Sequence, residues 1–354
     1  MKHSILLITS MTKHWQWAKE IEQQYTDETM SVGIVFLSCE DVSLEGVRRD
    51  IDAANIVLFT HVGSTLDTPL VKGVHKYITQ KQIPYVLIFH DSSSDVKRYG
   101  VADSDIDQIQ AYLQQGGTEN FYGLCQYMLS LRGYAGQVQP VKELPYQGIL
   151  GRQGEVYPSY EKYCKDYHHS GPVVGIFFYR DEWVQGQLDY PYELYDRALE
   201  QGLSPVLVFG QYSSKSGGQL RWYDCWDTLF AHQAKETISL IINTCKFSII
   251  GLQGACRAEI AELGIPILQG FVTYTSFESW QIRSQGLEPM DISFSLSLPE
   301  MDGILNGYIV GTRTYAEERG YYFKPYSIGI QNLLAQAKRW IALQKKKKSD
   351  VKIA

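Results

Sequence analysis

Short apolar runs recur along this chain, and segments with helical spacing separate them. In the first third the runs are SILLIT at 4–9, VGIVFLS at 32–38, IVLFT at 56–60 and PYVLIFH at 84–90. The rhythm returns with PVVGIFFY at 172–179 and PVLVF at 205–209. Uninterrupted apolar strands alternating with helices are typical of parallel sheets covered on both faces. The fold class we predict is α/β, with two Rossmann- or flavodoxin-like domains built on open parallel sheets.

A stretch rich in glycine and proline interrupts this rhythm between residues 133 and 171. Glycine and proline are common in the segments that connect domains. We therefore predict a flavodoxin-like head domain over 1–132, a connecting segment over 133–171 and a second α/β domain over 172–326. The remaining residues, 327–354, are expected to form a helix that leads into a truncated next domain. Because VKIA at 351–354 resembles the opening of a strand, we expect the chain to be a piece of a longer protein.

Four local assignments in the second domain follow from composition and spacing. Leu220–Lys235 has helical spacing, and Ile238–Ile242 is apolar enough for a buried strand. Phe247–Ile250 is a further strand candidate. The polar segment Gln211–Gln219, rich in glycine and serine, is typical of a surface loop.

Charge and hydropathy exclude several classes of protein. The chain has 33 basic and 39 acidic residues, a net charge of −6, which argues against a general nucleic-acid binder. No apolar run reaches the roughly 18–20 residues that a membrane-spanning helix needs. The amino-terminal apolar stretch is short and has no cleavage site, so it predicts a first strand rather than a signal peptide. The six cysteines contain no C-x-x-C pair, and we expect free thiols in a reducing cytoplasm.

Common catalytic motifs are absent from the sequence. It has no G-x-x-x-x-G-K-[ST] phosphate loop, no H-E-x-x-H zinc motif and no G-x-S-x-G nucleophile motif. The first strand is followed by Thr9-Ser10-Met11-Thr12-Lys13 rather than by a glycine-rich turn. We assign no catalytic residue and no metal-ligand set to the chain.

The most distinctive local pattern is YRDEW at 179–183, directly after the apolar run 172–179. Open α/β sheets bind ligands at the carboxyl ends of their strands. Arg180 could pair with a ligand carboxylate, and Tyr179 and Trp183 could stack on a flat ring. The alternative is that Arg180 forms a structural ion pair with Asp181, Glu182 or Asp189.

Two acidic residues form a second candidate site in the segment LPEMDG at 298–303. Glu300 and Asp302 stand between a proline and a glycine, a pattern that predicts a rigid turn. Their carboxylates could orient a cation or an amide. An ordinary turn with its own capping bonds remains the alternative.

These motifs resemble the amino-terminal region of the large subunit of cobaltochelatase and of the large (H) subunit of magnesium chelatase. The family pattern of a strand, Tyr-Arg and a Trp matches Tyr179, Arg180 and Trp183. The helix start GGTEN at 116–120 is also similar. A longer family pattern, Gly-Leu-x-Pro-x-Asp followed by Leu-Pro-Glu-x-Asp-Gly, matches Gly286, Leu287, Pro289, Asp291, Leu298, Pro299, Glu300, Asp302 and Gly303.

The resemblance implies a part of an ATP-dependent enzyme that inserts cobalt into a corrin or magnesium into protoporphyrin. It implies that AAA+-type partner subunits bind and hydrolyse ATP, in agreement with the missing phosphate loop. The tetrapyrrole would be the ligand here, with Tyr179, Arg180, Trp183, Glu300 and Asp302 as candidate contacts. The family's metal-handling residues lie beyond residue 354, so this fragment alone is expected to be inactive.

Two other functions fit the fold pattern. One is a two-lobed module that closes on a small molecule without catalysis. The other is a nucleotide-sugar transferase with two Rossmann-like domains, which would bind a diphosphate at a helix amino terminus.

Overall fold

The structure is a computed structural model that describes residues 3–25, 29–37, 42–62, 68–90, 96–168, 170–211, 222–250, 257–282, 286–316 and 320–344. The chain divides into two compact units, Met1–Leu144 and Pro145–Ala354. The segments 212–219 and 345–354, where the sequence predicts a surface loop and the start of another domain, lie outside the described residues.

The first unit is an open sheet of five strands with helices packed against it. Its described strands are β1 His3–Thr9, β2 Met30–Phe36, β3 Ile56–Val62, β4 Tyr85–His90 and β5 Val96–Tyr99. Its described helices are α1 Thr12–Gln24, α2 Leu44–Ala53, α3 Pro69–Lys81, α4 Asp103–Gln115 and α5 Thr118–Ser130.

The strand order in this sheet is β2-β1-β3-β4-β5, the flavodoxin-like order. Strands β1 to β4 are parallel, and β5 turns back antiparallel to β4. Strands β1, β3 and β4 are mostly buried on both faces, which is why their sequences are continuous apolar runs, whereas the edge strand β2 is partly exposed. Two helices start at hydroxyl caps: Ser43 accepts from the backbone N–H of Gly46, and Thr68 accepts from that of Val71.

The second unit contains a larger sheet of eight strands. Its described strands are β6 Gln147–Leu150, β7 Val156–Tyr157, β8 Val173–Tyr179, β9 Ser204–Gly210, β10 Ile238–Asn243, β11 Ile267–Thr273, β12 Leu305–Ala316 and β13 Gly320–Pro325. Its described α-helices are α6 Tyr160–Asp166, α7 Arg180–Val184, α8 Asp189–Glu200, α9 Trp222–Leu229, α10 Ala234–Thr237, α11 Arg257–Leu263, α12 Phe277–Ile282, α13 Pro289–Asp291, α14 Leu298–Met301 and α15 Ser327–Gln344, and a π-helix spans Ile292–Ser297.

The centre of this sheet repeats the flavodoxin-like order. The strands run β13-β12-β11-β10-β8-β9-β6-β7, and the five central strands, β12 to β9, are parallel. In chain order these five occupy positions 2-1-3-4-5, as in the first unit. The outer strands β13, β6 and β7 are antiparallel to their neighbours. The predicted α/β class is confirmed, with sheets that are mostly rather than wholly parallel.

The segment 133–171, predicted to connect two domains, contributes to the second sheet. Strand β6 pairs with β9, and β7 pairs with β6. The residues Ile149 and Leu150 are fully buried between the sheet's covering helices, so this part of the segment belongs to the second core. In the sequence, the first compact unit ends at Leu144, inside the predicted connection.

Two local predictions in the second unit were wrong. Phe247–Ile250 is not a strand: Phe247 has a φ of 67°, and its backbone N–H donates to Phe294 O. Strand backbone needs negative φ, so the ladder cannot continue there. The helix predicted over Leu220–Lys235 is interrupted after Leu229, because Ala231 and His232 also have positive φ.

The described cysteines carry free thiols, and Cys125, Cys225 and Cys245 are buried. Among the described helices, none is both long and apolar enough to cross a membrane.

Helix α15 packs on the second sheet. Residues Ile330, Leu333, Leu334, Ala337 and Ile341 recur at helical spacing and are buried against strands β10 to β12. Close approach depends on Gly329, where an added Cβ would lie 1.7 Å from Ile309 O. A backbone oxygen cannot rotate away as a side chain can, so this contact requires glycine.

We expect Gly329→Ala to lower the free energy of unfolding by about 1–3 kcal/mol, because helix and strand must separate to admit the methyl group. The greater helix propensity of alanine offsets at most about 1 kcal/mol of that loss. Urea unfolding followed by tryptophan fluorescence measures the change. Asn332→Ala, at an exposed position of the same helix, is the matched control and should shift stability by less than about 0.5 kcal/mol. Equal stability of the two variants would contradict this packing argument.

Candidate functional site

Buried polar residues gather where three central strands of the second unit end. The carboxyl ends of β8, β10 and β11 lie side by side, and the strand order reverses between β8 and β10. Such a reversal opens a crevice that is the usual ligand site of open α/β sheets. The polar residues here come from the segments 179–190, 243–246, 269–275 and 289–291, and many of them are nearly inaccessible to solvent. We call this region the carboxyl edge.

A buried ion pair lies at the centre of the carboxyl edge. Lys246 Nζ is 2.9 Å from Asp291 Oδ1, and the two side chains are only 8% and 5% exposed. Thr273, the last residue of β11, donates a hydrogen bond to the other carboxylate oxygen. The ammonium also lies 3.9 Å from the ring centroid of Tyr274. Burial lowers the pKa of Lys246, and the hydrogen bond to Asp291 opposes that shift.

The backbone of Lys246 is clamped by a tyrosine from the neighbouring strand. Tyr179 Oη donates to Lys246 O at 2.8 Å and accepts from the Lys246 N–H at 2.9 Å. The next residue, Phe247, has the left-handed backbone described above, and its side chain is 49% exposed. Its ring contacts that of Phe294 in the π-helix. Non-glycine residues with positive φ carry strain and are concentrated at functional sites.

Amide side chains fix the loop between β10 and Lys246. Asn243 donates to Gln269 Oε1 at 2.9 Å, and both amides donate to Cys245 O. All three residues are fully buried or nearly so. The two amide donors therefore fix the Cys245 carbonyl, and with it the loop that leads to Lys246.

A second buried carboxyl group, Glu182, begins a chain of oxygen contacts. Tyr190 Oη lies 2.6 Å from Glu182 Oε2 and 3.0 Å from Thr244 Oγ1. Thr244 in turn donates to Phe177 O at 2.8 Å. The chain links α7, α8, the end of β10 and the interior of β8.

The number of hydrogen atoms available to these oxygen contacts indicates the protonation state of Glu182. Three oxygen contacts need three hydrogens, but Tyr190 and Thr244 carry one hydroxyl hydrogen each. With ionised Glu182, one contact has no hydrogen. A protonated Glu182 supplies it by donating to Tyr190, which then donates to Thr244. Burial independently raises the pKa of Glu182 to about 8, so the neutral acid predominates at pH 7.

The structure places Tyr179, Arg180 and Trp183 together at the carboxyl edge, each with a partner inside the protein. Arg180 is 1% exposed, and its Nε donates to Pro145 O at 2.8 Å. Burial lowers the pKa of Arg180, while Asp181 and the Tyr146 ring favour its charged form. Trp183 stacks on Phe209 with ring centroids 4.4 Å apart.

Glu300 and Asp302 lie at the other end of the strands. Asp302 is three residues before β12 starts, and β12 is parallel to β11. Its carboxylate accepts hydrogen bonds from Ser248 Oγ at 2.8 Å and from the Ile249 N–H at 2.7 Å. Asp302 also lines a cleft of about 660 Å³ beside Trp340. Glu300 is exposed. The helical segment 289–301 thus separates these two residues from Tyr179, Arg180 and Trp183.

Sequence reasoning did not single out the central ion pair. Lys246 and Asp291 are 45 residues apart, and only the fold brings them together. Asp291 does belong to the matched Gly-Leu-x-Pro-x-Asp pattern, and that pattern was the available signal. Glu182 was considered only as an ion-pair partner, and Tyr190 was not considered. Within the described residues, no three His, Cys, Asp or Glu side chains are grouped so that they could hold a metal ion.

Comparison with known proteins shows one consistent family. Residues 110–354 match the family model described as CobN/Magnesium Chelatase. An aerobic cobaltochelatase subunit CobN from a Sinorhizobium species is 28% identical over 215 residues, which are 57% of this chain and 16% of that protein. The chloroplastic magnesium-chelatase subunit ChlH of Oryza sativa subsp. japonica is 22% identical over 194 residues, 52% of this chain and 13% of that protein.

A solved structure shows a similar fold over nearly the whole chain. The catalytic subunit of cobaltochelatase from Mycobacterium tuberculosis superposes with a TM-score of 0.64 at 16% identity, covering 99% of this chain and 28% of that one. Two relatives from Methanocaldococcus jannaschii are matched over only 18% and 20% of their lengths. The chain therefore spans about a fifth or less of the curated relatives it matches.

We expect Lys246→Met to lower the free energy of unfolding by about 3–5 kcal/mol, because it leaves the Asp291 carboxylate buried without a cation. The double variant Lys246→Met/Asp291→Asn should recover most of the loss, since no buried charge remains and the amide oxygen still accepts from Thr273. Urea unfolding of both variants measures the difference. Arg197→Met, which breaks partly exposed pairs with Glu193 and Glu200, should cost less than about 1 kcal/mol. If the double variant were no more stable than Lys246→Met, the two residues would not act as a coupled pair.

Glu182 should make the protein less stable as the pH rises from about 5 to about 8. Its folded pKa of about 8 is above the ordinary value of 4.5, so the native state holds a proton that the unfolded chain has released. Above the folded pKa the effect levels off. Glu182→Gln should remove this slope, with a gain over the parent of up to about 5 kcal/mol at pH 8.

Urea unfolding of Glu182→Gln and of the parent protein at several pH values measures that slope. Glu236→Gln, at an exposed position, is the control and should leave the slope unchanged. If the stability of Glu182→Gln depends on pH as steeply as that of the parent protein, a group other than Glu182 must titrate.

Proposed function

We propose, from the fact that the chain belongs to the CobN/magnesium chelatase family, that it forms part of the large, tetrapyrrole-binding subunit of an ATP-dependent metal chelatase. The observation that carries this proposal is the family match over residues 110–354, which includes the whole second sheet and its carboxyl edge. The substrates would be a divalent metal ion and a metal-free ring: cobalt with a corrin, or magnesium with protoporphyrin. Cobalt is the first choice, on similarity to the cobaltochelatase relatives.

Metal insertion sets the chemical demands on such a subunit. A divalent ion replaces two protons on the nitrogens of a porphyrin and one proton on those of a corrin. The ring must therefore be held in place while each displaced proton leaves. The family's division of labour would assign ATP hydrolysis to AAA+-type partner subunits and insertion to residues outside this chain. The role we assign to this chain is to help hold the ring or to dock those partners.

The carboxyl edge suits a supporting role in ring binding. Its interior is a fixed network of hydrogen bonds around Lys246 and Asp291, while Tyr274 and Phe247 expose their rings next to it. Aromatic faces stack readily on flat ligands. A rigid interior lowers the cost of presenting those faces in one arrangement.

The direct contacts predicted from the sequence, Tyr179, Arg180, Trp183, Glu300 and Asp302, remain predictions. The partners of the first three favour a role in shaping the carboxyl edge, because Arg180 is buried and Trp183 is stacked. An Arg180→Lys variant that binds the ring as well as the parent would exclude an essential guanidinium–carboxylate contact at this position. The matched control is Arg339→Lys, at an exposed position of α15.

The test of the proposed function is a titration of the chain with a metal-free corrin and, separately, with protoporphyrin. We expect saturable quenching of tryptophan fluorescence with one ring, because Trp183 lies at the carboxyl edge, together with a shift in the ring's absorbance. Saturation by one ring only would also identify the metal type. Binding of neither ring would overturn the ring-holding role and leave partner docking, which co-purification with the ATPase subunits would then test.

A further inference from the structure

Arg313 differs from Lys246 in its charge partners. It lies on β12, next to Thr312, which is in register with Thr273 at the end of β11. Whereas Lys246 is neutralised by Asp291, Arg313 has no ion pair with any carboxylate that the structure describes. Its recorded contacts are with two aromatic rings: the guanidinium carbon is 3.8 Å from the centroid of Tyr321 and 5.9 Å from that of Tyr274. The side chain is partly exposed.

The aromatic contacts hold the guanidinium in a defined orientation. A guanidinium 3.8 Å from a ring centroid lies against the face of the ring, so the N–H groups at its rim are left for other acceptors. Phe323, the cross-strand partner of Arg313, contacts Tyr274 with centroids 5.5 Å apart and supports that ring. Tyr315 contacts Tyr321 in the same way at 5.1 Å.

The surface next to Arg313 is aromatic and open. Tyr274 is 58% exposed and Tyr315 is 54% exposed, so both rings are accessible to a ligand. A planar ligand could lie on these rings while an anionic group at its rim met the guanidinium. Arginine bound in this way pairs with a carboxylate through two parallel hydrogen bonds, which lysine cannot reproduce.

We propose that Arg313, with Tyr274 and Tyr321, forms a subsite that binds a peripheral carboxylate of a planar ring ligand. This inference rests on the proposed function for the nature of the ring, and it adds the residue that would distinguish carboxylate-bearing rings from neutral ones. Arg313 is a binding residue here and takes no part in metal insertion.

The experiment is a set of titrations with three probes: a porphyrin that carries peripheral carboxylates, its methyl ester, and 1-pyrenecarboxylate. Each is titrated into the parent chain and into Arg313→Gln, Arg313→Lys and the control Arg339→Gln, which changes an exposed arginine of α15 near the opposite end of the strands. Far-ultraviolet circular dichroism and urea unfolding verify that the variants are folded.

We expect Arg313→Gln to weaken binding of the free acid about tenfold or more, with Arg313→Lys intermediate and the ester unaffected. Equal binding of the acid by parent and Arg313→Gln would overturn the subsite while leaving the proposed function intact. If neither porphyrin binds, the ring-holding role fails, and the titrations with 1-pyrenecarboxylate then test the subsite by themselves. Binding of 1-pyrenecarboxylate that depends on Arg313 supports the subsite. Binding that does not depend on Arg313, or no binding, overturns it.

Discussion

The carboxyl edge of the second unit depends on the burial of one ammonium–carboxylate pair. Two charges out of water are tolerated only when each is neutralised and the remaining lone pairs are hydrogen-bonded. Thr273 and Tyr274 meet this requirement from the end of β11, and Asp291 contributes from the start of the π-helical segment. The pair thereby fixes three separate segments relative to one another. Tyr179 clamps the backbone of Lys246, so the position of β8 depends on the same pair.

Sequence patterns predicted the buried parallel strands well because such strands are apolar on both faces. Runs such as 172–179 and 205–209 are therefore typical of buried parallel strands. Strands with one polar or exposed face gave no such signal: LNGYIVGTRTYA at 305–316 mixes glycine, threonine and arginine, and its strand was not predicted. The false strand at Phe247–Ile250 failed for a local reason, a left-handed residue that apolar composition does not reveal.

The location of the candidate site could be predicted from the sequence, but the residues that form it could not. Ligand sites at the carboxyl ends of strands are a rule of topology, and this rule led to Tyr179 and Arg180. Which side chains become buried, paired or exposed depends on contacts between distant segments. Arg180 was predicted as a ligand contact but is buried beneath Tyr146, whereas Arg313, on an unpredicted strand, lies against the ring of Tyr321. The acidic pair Glu300 and Asp302 follows the helical segment 289–301 away from this edge.

The hydroxyl chain that starts at Glu182 has an electrical consequence. When the carboxyl group loses its proton, the Tyr190 hydroxyl turns toward the new charge, and Thr244 faces two acceptors with one hydrogen. A single ionisation therefore reverses the Tyr190 O–H dipole and leaves one contact of Thr244 without a hydrogen. The electric field inside the crevice then changes by the sum of the new charge and the reoriented dipole. The protonation state of Glu182 is in this way coupled to the hydrogen bonding of two residues from other segments.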